Sequence, residues 1–149
     1  MNHREFEEAI LAFDNAGDAY MRAVAAAYQS REVARDVPES QTRRRREAFM
    51  NAAGAFEYCA EMTNCTEELR NHYRAAALCY AEIKYHQDVV RAFKLASMFT
   101  EAASYCFEHN LLDTAVSIIK KYDAEVKSET KDCIKEVARL SYLESKLLE

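Results

Sequence analysis

Residues that interrupt helices are scarce in this sequence, which contains only two glycines and one proline among its 149 residues. Alanine, glutamate, arginine and lysine, which favour helices, are abundant instead. Because Gly17 and Gly54 lie far apart, no glycine-rich loop is available to hold a phosphate group. The composition therefore predicts an almost entirely helical chain without a phosphate loop.

Long apolar segments are also missing. No apolar run approaches the ~20 residues that a membrane-spanning helix needs, so we expect no membrane association. No apolar region follows the charged start of the chain, as it would in a signal peptide. The net charge of −5 disfavours a general attraction to nucleic acid or anionic lipid. The five cysteines have irregular spacing without a CxxC pair, which predicts buried, reduced thiols and an intracellular location, cytoplasmic or nuclear.

No arrangement of residues is typical of a catalytic or metal site. Cys59 and Cys65 have five residues between them, whereas two zinc-binding cysteines usually have about two to four. Cys59, Cys79 and Cys106 lie on or beside apolar helix faces, where core thiols are expected. No motif around the four histidines suggests a nucleophile and base. We therefore predict that the chain is not an enzyme and has no catalytic residue, metal or cofactor.

A recurring pair of alanines organises the sequence. Each pair is followed, three residues after its second member, by a larger side chain: Ala52-Ala53 by Phe56, Ala76-Ala77 by Tyr80, and Ala102-Ala103 by Cys106. Successive pairs begin 24 and 26 residues apart. Small residues allow helices to approach closely, and self-similarity at this length is typical of helical repeats.

The apolar spacing predicts about eight helices. The first helix covers residues 3–15, the second ends near Asp36, and the third runs from about Ser40 to Met62. The fourth helix follows a turn at 63–66, and the fifth follows a break at 84–87. The sixth helix begins near Thr100, the seventh carries Leu112 to Ile119, and the eighth follows Ser128.

Several residues are expected to fix the ends of these helices. Gly17 should stop the first helix and Asp18 should cap the second. Asn64 and Glu67 have the spacing of a capping box, Asn110 can adopt a left-handed conformation, and Ser128 should cap the last helix. Gly54 lies within the third helix, where it either permits a close helix crossing or is simply tolerated.

The last helix has an unusually wide apolar stripe, formed by Ile134, Val137, Ala138, Leu140, Leu143 and Leu147. One side is expected to pack on the sixth and seventh helices. The other side, around Leu140, Leu143 and Leu147, should stay exposed and mark an interface. Its partner would be a second copy of the chain, giving a homodimer, or a further segment of a longer parent chain. We predict a single domain, 1–149, that is a fragment of such a parent.

The basic residues offer a second candidate surface. Arg43, Arg44, Arg45 and Arg46 spread around a helix, so they form either a solvated first turn paired with Glu39 and Glu47 or a partner-binding patch. Two further pairs share a helix face at i, i+4 and i, i+3: Arg70 with Arg74, and Arg91 with Lys94.

Four phrases in the second half carry a resemblance: Tyr73-Arg-Ala-Ala-Ala-Leu-Cys-Tyr80, Arg91-Ala-Phe, Phe99-Thr-Glu-Ala-Ala103 and Leu112-Asp-Thr-Ala-Val116. Together they resemble a tetratricopeptide-like or soluble-NSF-attachment-protein-like helical array. The resemblance implies an all-α, right-handed stack of about eight antiparallel helices, an α-solenoid.

A narrower resemblance covers most of the chain. It rests on Ala16-Gly-Asp18, Arg45-Arg-Glu-Ala-Phe49, Ala52-Ala53, Phe99-Thr-Glu-Ala-Ala103 and Val137-Ala-Arg-Leu-Ser-Tyr142. These phrases are similar to the helical region that accompanies UvrD-like helicases in large fungal proteins and in tetratricopeptide and ankyrin repeat-containing proteins. The resemblance implies that a longer parent carries an ATP-dependent helicase core outside this chain.

Two functions are consistent with these patterns. The first is a non-catalytic scaffold whose helical groove binds another protein or another segment of the parent chain. The alternative is a nucleic-acid-binding accessory module that uses the basic helix faces.

Overall fold

The computed structural model describes residues 3–15 and 18–148, apart from the side chains of residues 12–15. These residues form eight α-helices and one short 3-10 helix, and no strand occurs among them. The elements are α1 (His3–Asn15), α2 (Ala19–Asp36), α3 (Thr42–Met62), α4 (Thr66–Glu82), α5 (His86–Leu95), α6 (Phe99–Glu108), α7 (Leu112–Lys121), the 3-10 helix (Asp123–Glu125) and α8 (Ser128–Leu148). The all-α prediction is confirmed.

The helices fall into two compact units, Met1–Ala96 and Ser97–Glu149. In the first unit each of α1 to α4 packs against the helix that follows it. In the second unit α7 packs against α6 and α8, and α8 also contacts α6. The contact of α8 with the two preceding helices is confirmed, whereas a single domain for residues 1–149 stays a prediction.

The alanine pairs lie at the centre of the helix contacts. The pairs on α3, α4 and α6 are completely buried, as are Phe56 and Cys106, and Tyr80 is 9% exposed. Because an alanine side chain adds little bulk, the neighbouring helix can approach closely while the larger residue beside it fills the remaining space. The repeated pattern therefore identifies core positions in both units.

Three helices are followed by left-handed residues that are not glycine. Lys84, after α4, has a φ of 58°, Ser97, after α5, has a φ of 55°, and Asn110, after α6, has a φ of 62°. The caps at Lys84 and Asn110 share a hydrogen-bond pattern. The amide of Tyr85 donates to the carbonyl of Tyr80 at 3.1 Å, and the amide of Leu111 donates to that of Cys106 at 2.8 Å. These are the 6→1 bonds of Schellman caps. The prediction for Asn110 is confirmed, and Lys84 explains the break at residues 84–87.

The predicted N-terminal caps have mixed outcomes. Asp18 caps α2, since its Oδ1 accepts from the Met21 amide at 3.0 Å. The prediction of a capping box at Asn64 is wrong. Such a box would require α4 to begin at Cys65, but α4 begins one residue later and Cys65 is its N-cap residue. Ser128 is not a cap either: it is the first residue of α8. Gly17 lies outside the described residues.

Gly54 is exposed on α3, and a Cβ atom placed on it would meet no atom within 4 Å. The close-crossing interpretation is therefore wrong, and the glycine is simply tolerated. No helix in the described part of the chain combines the length and the apolar character needed to cross a bilayer.

Candidate functional site

The C-terminal helix α8 is packed only over its first half. Ile134 is 1% exposed, at the contact with the preceding helices of the unit, and Ala138 is half-buried. Every described residue after Ala138 is exposed, which leaves about three helical turns of α8 with a free apolar surface.

A groove of about 490 Å³ lies between α7 and α8. Its lining residues are Val116, Ile119, Lys120, Asp123, Lys135, Ala138, Arg139 and Tyr142. Ile119 is buried, and Val116 and Ala138 are half-buried, so these three form an apolar floor. The charged residues and Tyr142 are exposed and form the rim.

The rim of this groove is predominantly basic. Lys120 and Lys135 have no ion pair or hydrogen bond from their side chains within the described residues. Arg139 is paired with Glu136 at 2.6 Å, and this contact lowers the pKa of Glu136 and raises that of Arg139. Asp123, the one acidic residue among the described residues of the lining, pairs with Lys131 at 3.3 Å. The groove therefore presents unpaired positive charge beside an apolar floor.

The predicted interface leucines lie on a different face of α8. Leu140 is 51% exposed, Leu143 is 45% exposed and Leu147 is 87% exposed, which confirms the predicted exposure. At 3.6 residues per turn, their centre is roughly 120° around the helix from that of the groove residues of α8. We call Leu140, Leu143 and Leu147 the outer stripe. The structure thus gives the second unit two separate apolar surfaces, and the sequence indicated only one of them.

The arginine run at the start of α3 does not act as one patch. Arg45 is half-buried, stacks over the Phe49 ring at 4.7 Å and pairs with Glu82 at 3.1 Å. Arg43 pairs with Glu47 at 3.4 Å, as predicted. Arg44 donates to the Gln41 side chain at 3.1 Å, and the exposed Arg46 lines a small pocket that also contains Glu39 and Glu82. The acidic residues that accompany the run reduce its positive potential.

The other basic pairs are also separated by their contacts. The Nε atom of Arg70 donates to the Ala96 carbonyl at 3.1 Å, whereas Arg74 is exposed. Arg91 forms a 2.5 Å hydrogen bond with Glu57 and a 3.3 Å contact with Asp88, while Lys94 is half-buried. Each pair therefore has one member held by a carbonyl or by carboxylates, Arg70 or Arg91. Binding by these residues stays a prediction.

The cysteines divide into two groups. Cys59, Cys79 and Cys106 are buried, as predicted, and burial raises the pKa of the Cys59 and Cys79 thiols to about 11. Cys65 and Cys133 are exposed, so the expectation that all five thiols are buried is wrong. No three potential ligands from histidine, cysteine, aspartate or glutamate come together within the described ranges.

A polar network in the first unit was not indicated by the sequence. The Tyr20 hydroxyl lies 2.7 Å from Nε2 of His72 and donates to Glu68 at 3.1 Å. The Thr63 hydroxyl also donates to Glu68, at 2.7 Å. Burial lowers the pKa of His72, and burial together with the bond to Glu68 raises that of Tyr20 to about 12. The network therefore joins a neutral histidine to a protonated tyrosine at neutral pH.

No protein-family model matches this chain, and neither does any curated protein or solved structure.

Proposed function

We propose that the chain is a non-catalytic protein-binding module that receives an acidic amphipathic helix in the α7–α8 groove. The observation that carries the proposal is the combination of an apolar floor with a basic rim. Removal of apolar surface from water provides the main driving force for such a contact. In this proposal Leu140, Leu143 and Leu147 form a separate surface and do not contribute to the groove.

The charge of the rim selects the kind of helix. Lys120 and Lys135 are free to pair, and Arg139 keeps donors beyond those that contact Glu136. A partner with glutamates along the edges of its apolar face would complement all three. Because these cations are exposed, each pair would contribute only about 0.2–1 kcal/mol. The charges would therefore determine the partner and its orientation more than the affinity.

The resemblance to a helicase-accompanying region supports a partner within a large helicase-like protein. In that setting the acidic helix would come from another protein or from another segment of the parent chain. The nucleic-acid alternative receives less support, because Arg45, Arg70 and Arg91 already contact carboxylates or carbonyl oxygens.

The experiment uses two designed helical peptides with the same leucine face, one flanked by glutamates and the other by lysines. Fluorescence anisotropy should show that the full chain binds the acidic peptide at least tenfold more tightly. Lys135→Glu should weaken this binding about three- to tenfold, as expected for reversing one exposed charge. The matched control is Lys127→Glu, because Lys127 is exposed in the same unit and does not line the groove.

Two results would overturn the proposal. One is equal binding of the acidic and basic peptides, and the other is an unchanged affinity in Lys135→Glu. A single-stranded oligonucleotide serves as the competing ligand. Binding of that oligonucleotide that falls steeply between about 50 and 200 mM salt, and is lost in Arg43→Glu with Arg44→Glu, would support the nucleic-acid alternative instead.

A further inference from the structure

A second cavity, of about 480 Å³, lies in the first unit between α1 and α2. Its apolar lining consists of Phe6, Ala9, Met21, Val24, Ala25 and Tyr28. Two charged residues, Arg31 and Glu32, complete the lining. The volume lies within the range of small-molecule sites, roughly 300–1,000 Å³.

Arg31 is held in place without an anionic partner. Its guanidinium carbon lies 4.8 Å from the centre of the Tyr28 ring and 5.3 Å from that of Phe56. The side chain is half-buried, and its buried Nε atom has no hydrogen-bond partner. No hydrogen bond or ion pair reaches Arg31 from the described residues. A guanidinium has five N–H donors, and leaving the buried Nε donor unpaired is costly.

The neighbouring carboxylate does not supply the missing charge. Glu32 is paired with Arg35 at 2.9 Å, on the same helix. That contact partly neutralises Glu32 and leaves Arg31 as the cation of the cavity. The stacked arginine Arg45, in the same unit, does have an anionic partner: it lies over the Phe49 ring and pairs with the carboxylate of Glu82.

We infer that this cavity binds a small monocarboxylate with an apolar tail. The carboxylate would accept hydrogen bonds from the Arg31 guanidinium, which suits planar, two-oxygen acceptors. The tail would lie against Val24, Ala25 and Phe6 and remove apolar surface from water. A dianionic ligand fits less well, because the described lining of the cavity offers a single unpaired cation and contains Glu32.

The test compares octanoate with 1-octanol, which have the same number of carbon atoms and different head groups. Isothermal titration calorimetry on the full chain at pH 7.5 should show octanoate binding at least tenfold more tightly than octanol. Arg31→Gln should reduce the affinity for octanoate to that for octanol, while leaving octanol binding unchanged. Arg46→Gln, at an exposed arginine of the same unit that does not line the cavity, should change neither affinity.

A second variant tests the tail. Val24→Phe should fill part of the cavity. It should therefore weaken the binding of octanoate more than that of butyrate, whose tail is shorter. Equal affinities of the wild-type chain for octanoate and octanol would overturn the inference, even if Arg31→Gln failed to fold. Unchanged octanoate binding in a folded Arg31→Gln variant would overturn it as well. Lys135→Glu lies in the other unit and should leave octanoate binding intact, so this test is independent of the α7–α8 groove.

Discussion

At the scale of single residues, His72 links burial to pH. It is 7% exposed, contacts the Tyr20 hydroxyl and stacks on the Phe56 ring, with centroids 6.5 Å apart. Burial lowers its pKa below the ordinary value of 6.5. The unfolded chain therefore binds a proton more readily than the folded chain as the pH falls below that value.

We predict that the free energy of unfolding falls as the pH drops from about 6.5 toward the lowered pKa of folded His72, because protonation favours the unfolded state. His72→Gln should be less stable at pH 7.5 and should lose part of this pH dependence. Urea titrations at pH 7.5 and 5.5 would measure both effects. His109→Gln is the control, since His109 is exposed. An equal pH dependence in wild type and His72→Gln would contradict the prediction.

For Gly54 we predict a substitution that increases stability. An alanine at this exposed position of α3 would meet no neighbour, because no atom lies within 4 Å of the added Cβ. Gly54→Ala should therefore raise the free energy of unfolding by about 0.5–1 kcal/mol, the gain in helix propensity. Chemical denaturation would measure the gain. A loss of stability would show that another element approaches α3 at this point.

Individual residues also show which contacts could not be predicted from the sequence. Four adjacent arginines look alike in the sequence, but Arg45 alone stacks on Phe49 and reaches Glu82. Glu82 is 37 residues away, and Tyr20 is 52 residues from His72. Such contacts depend on which helices become neighbours, and the local pattern does not determine that choice.

At the scale of helices, the spacing of apolar residues and the scarcity of glycine and proline were sufficient to predict most helix boundaries. Helices α1 and α2 have the predicted limits, and α3 differs only at its start. The caps at Asn64 and Ser128 were wrong because the preference of a residue type for a cap does not determine which residue starts the helix. The end of α4 was uncertain from the sequence because a lysine occupies the position where glycine is usual.

The left-handed lysine after α4 provides a test of this cap. A residue with a side chain in the left-handed region costs about 1–2 kcal/mol, so Lys84→Gly should stabilise the chain by about 1 kcal/mol. Lys94→Gly is the matched control, because Lys94 lies in the last turn of α5 and glycine there should destabilise by up to about 1 kcal/mol. Thermal unfolding monitored by circular dichroism would show whether each variant is stabilised or destabilised. Destabilisation by both variants would mean that the Lys84 side chain has an essential contact.

At the scale of the whole molecule, composition and periodicity predicted an all-helical chain, but the division into two compact units was not apparent. No proline- or glycine-rich linker marks the boundary after Ala96. The candidate site was only partly predictable for a related reason. The outer stripe is visible as leucines on one helix, whereas the α7–α8 groove combines residues from two helices and becomes visible only when they pack.

The outer stripe leads to the last prediction, the formation of a homodimer through α8. Arg139 and Glu144 flank the stripe five residues apart. In a parallel pair of α8 helices, positions with this spacing bring opposite charges together across the seam twice, once on each side. We therefore expect the wild-type chain to self-associate through Leu140, Leu143 and Leu147.

Leu143→Glu combined with Leu147→Glu should abolish this association and preserve the helix content, because both side chains are exposed. Sedimentation velocity over a range of concentrations would compare this variant with the wild type. Leu78→Glu with Leu95→Glu is the control, since these leucines are 46% and 45% exposed in the first unit. A wild-type chain that stays monomeric at about 1 mM, where even weak pairs associate, would contradict the prediction. Because the outer stripe and the α7–α8 groove occupy different faces of α8, the double variant should still bind the acidic peptide.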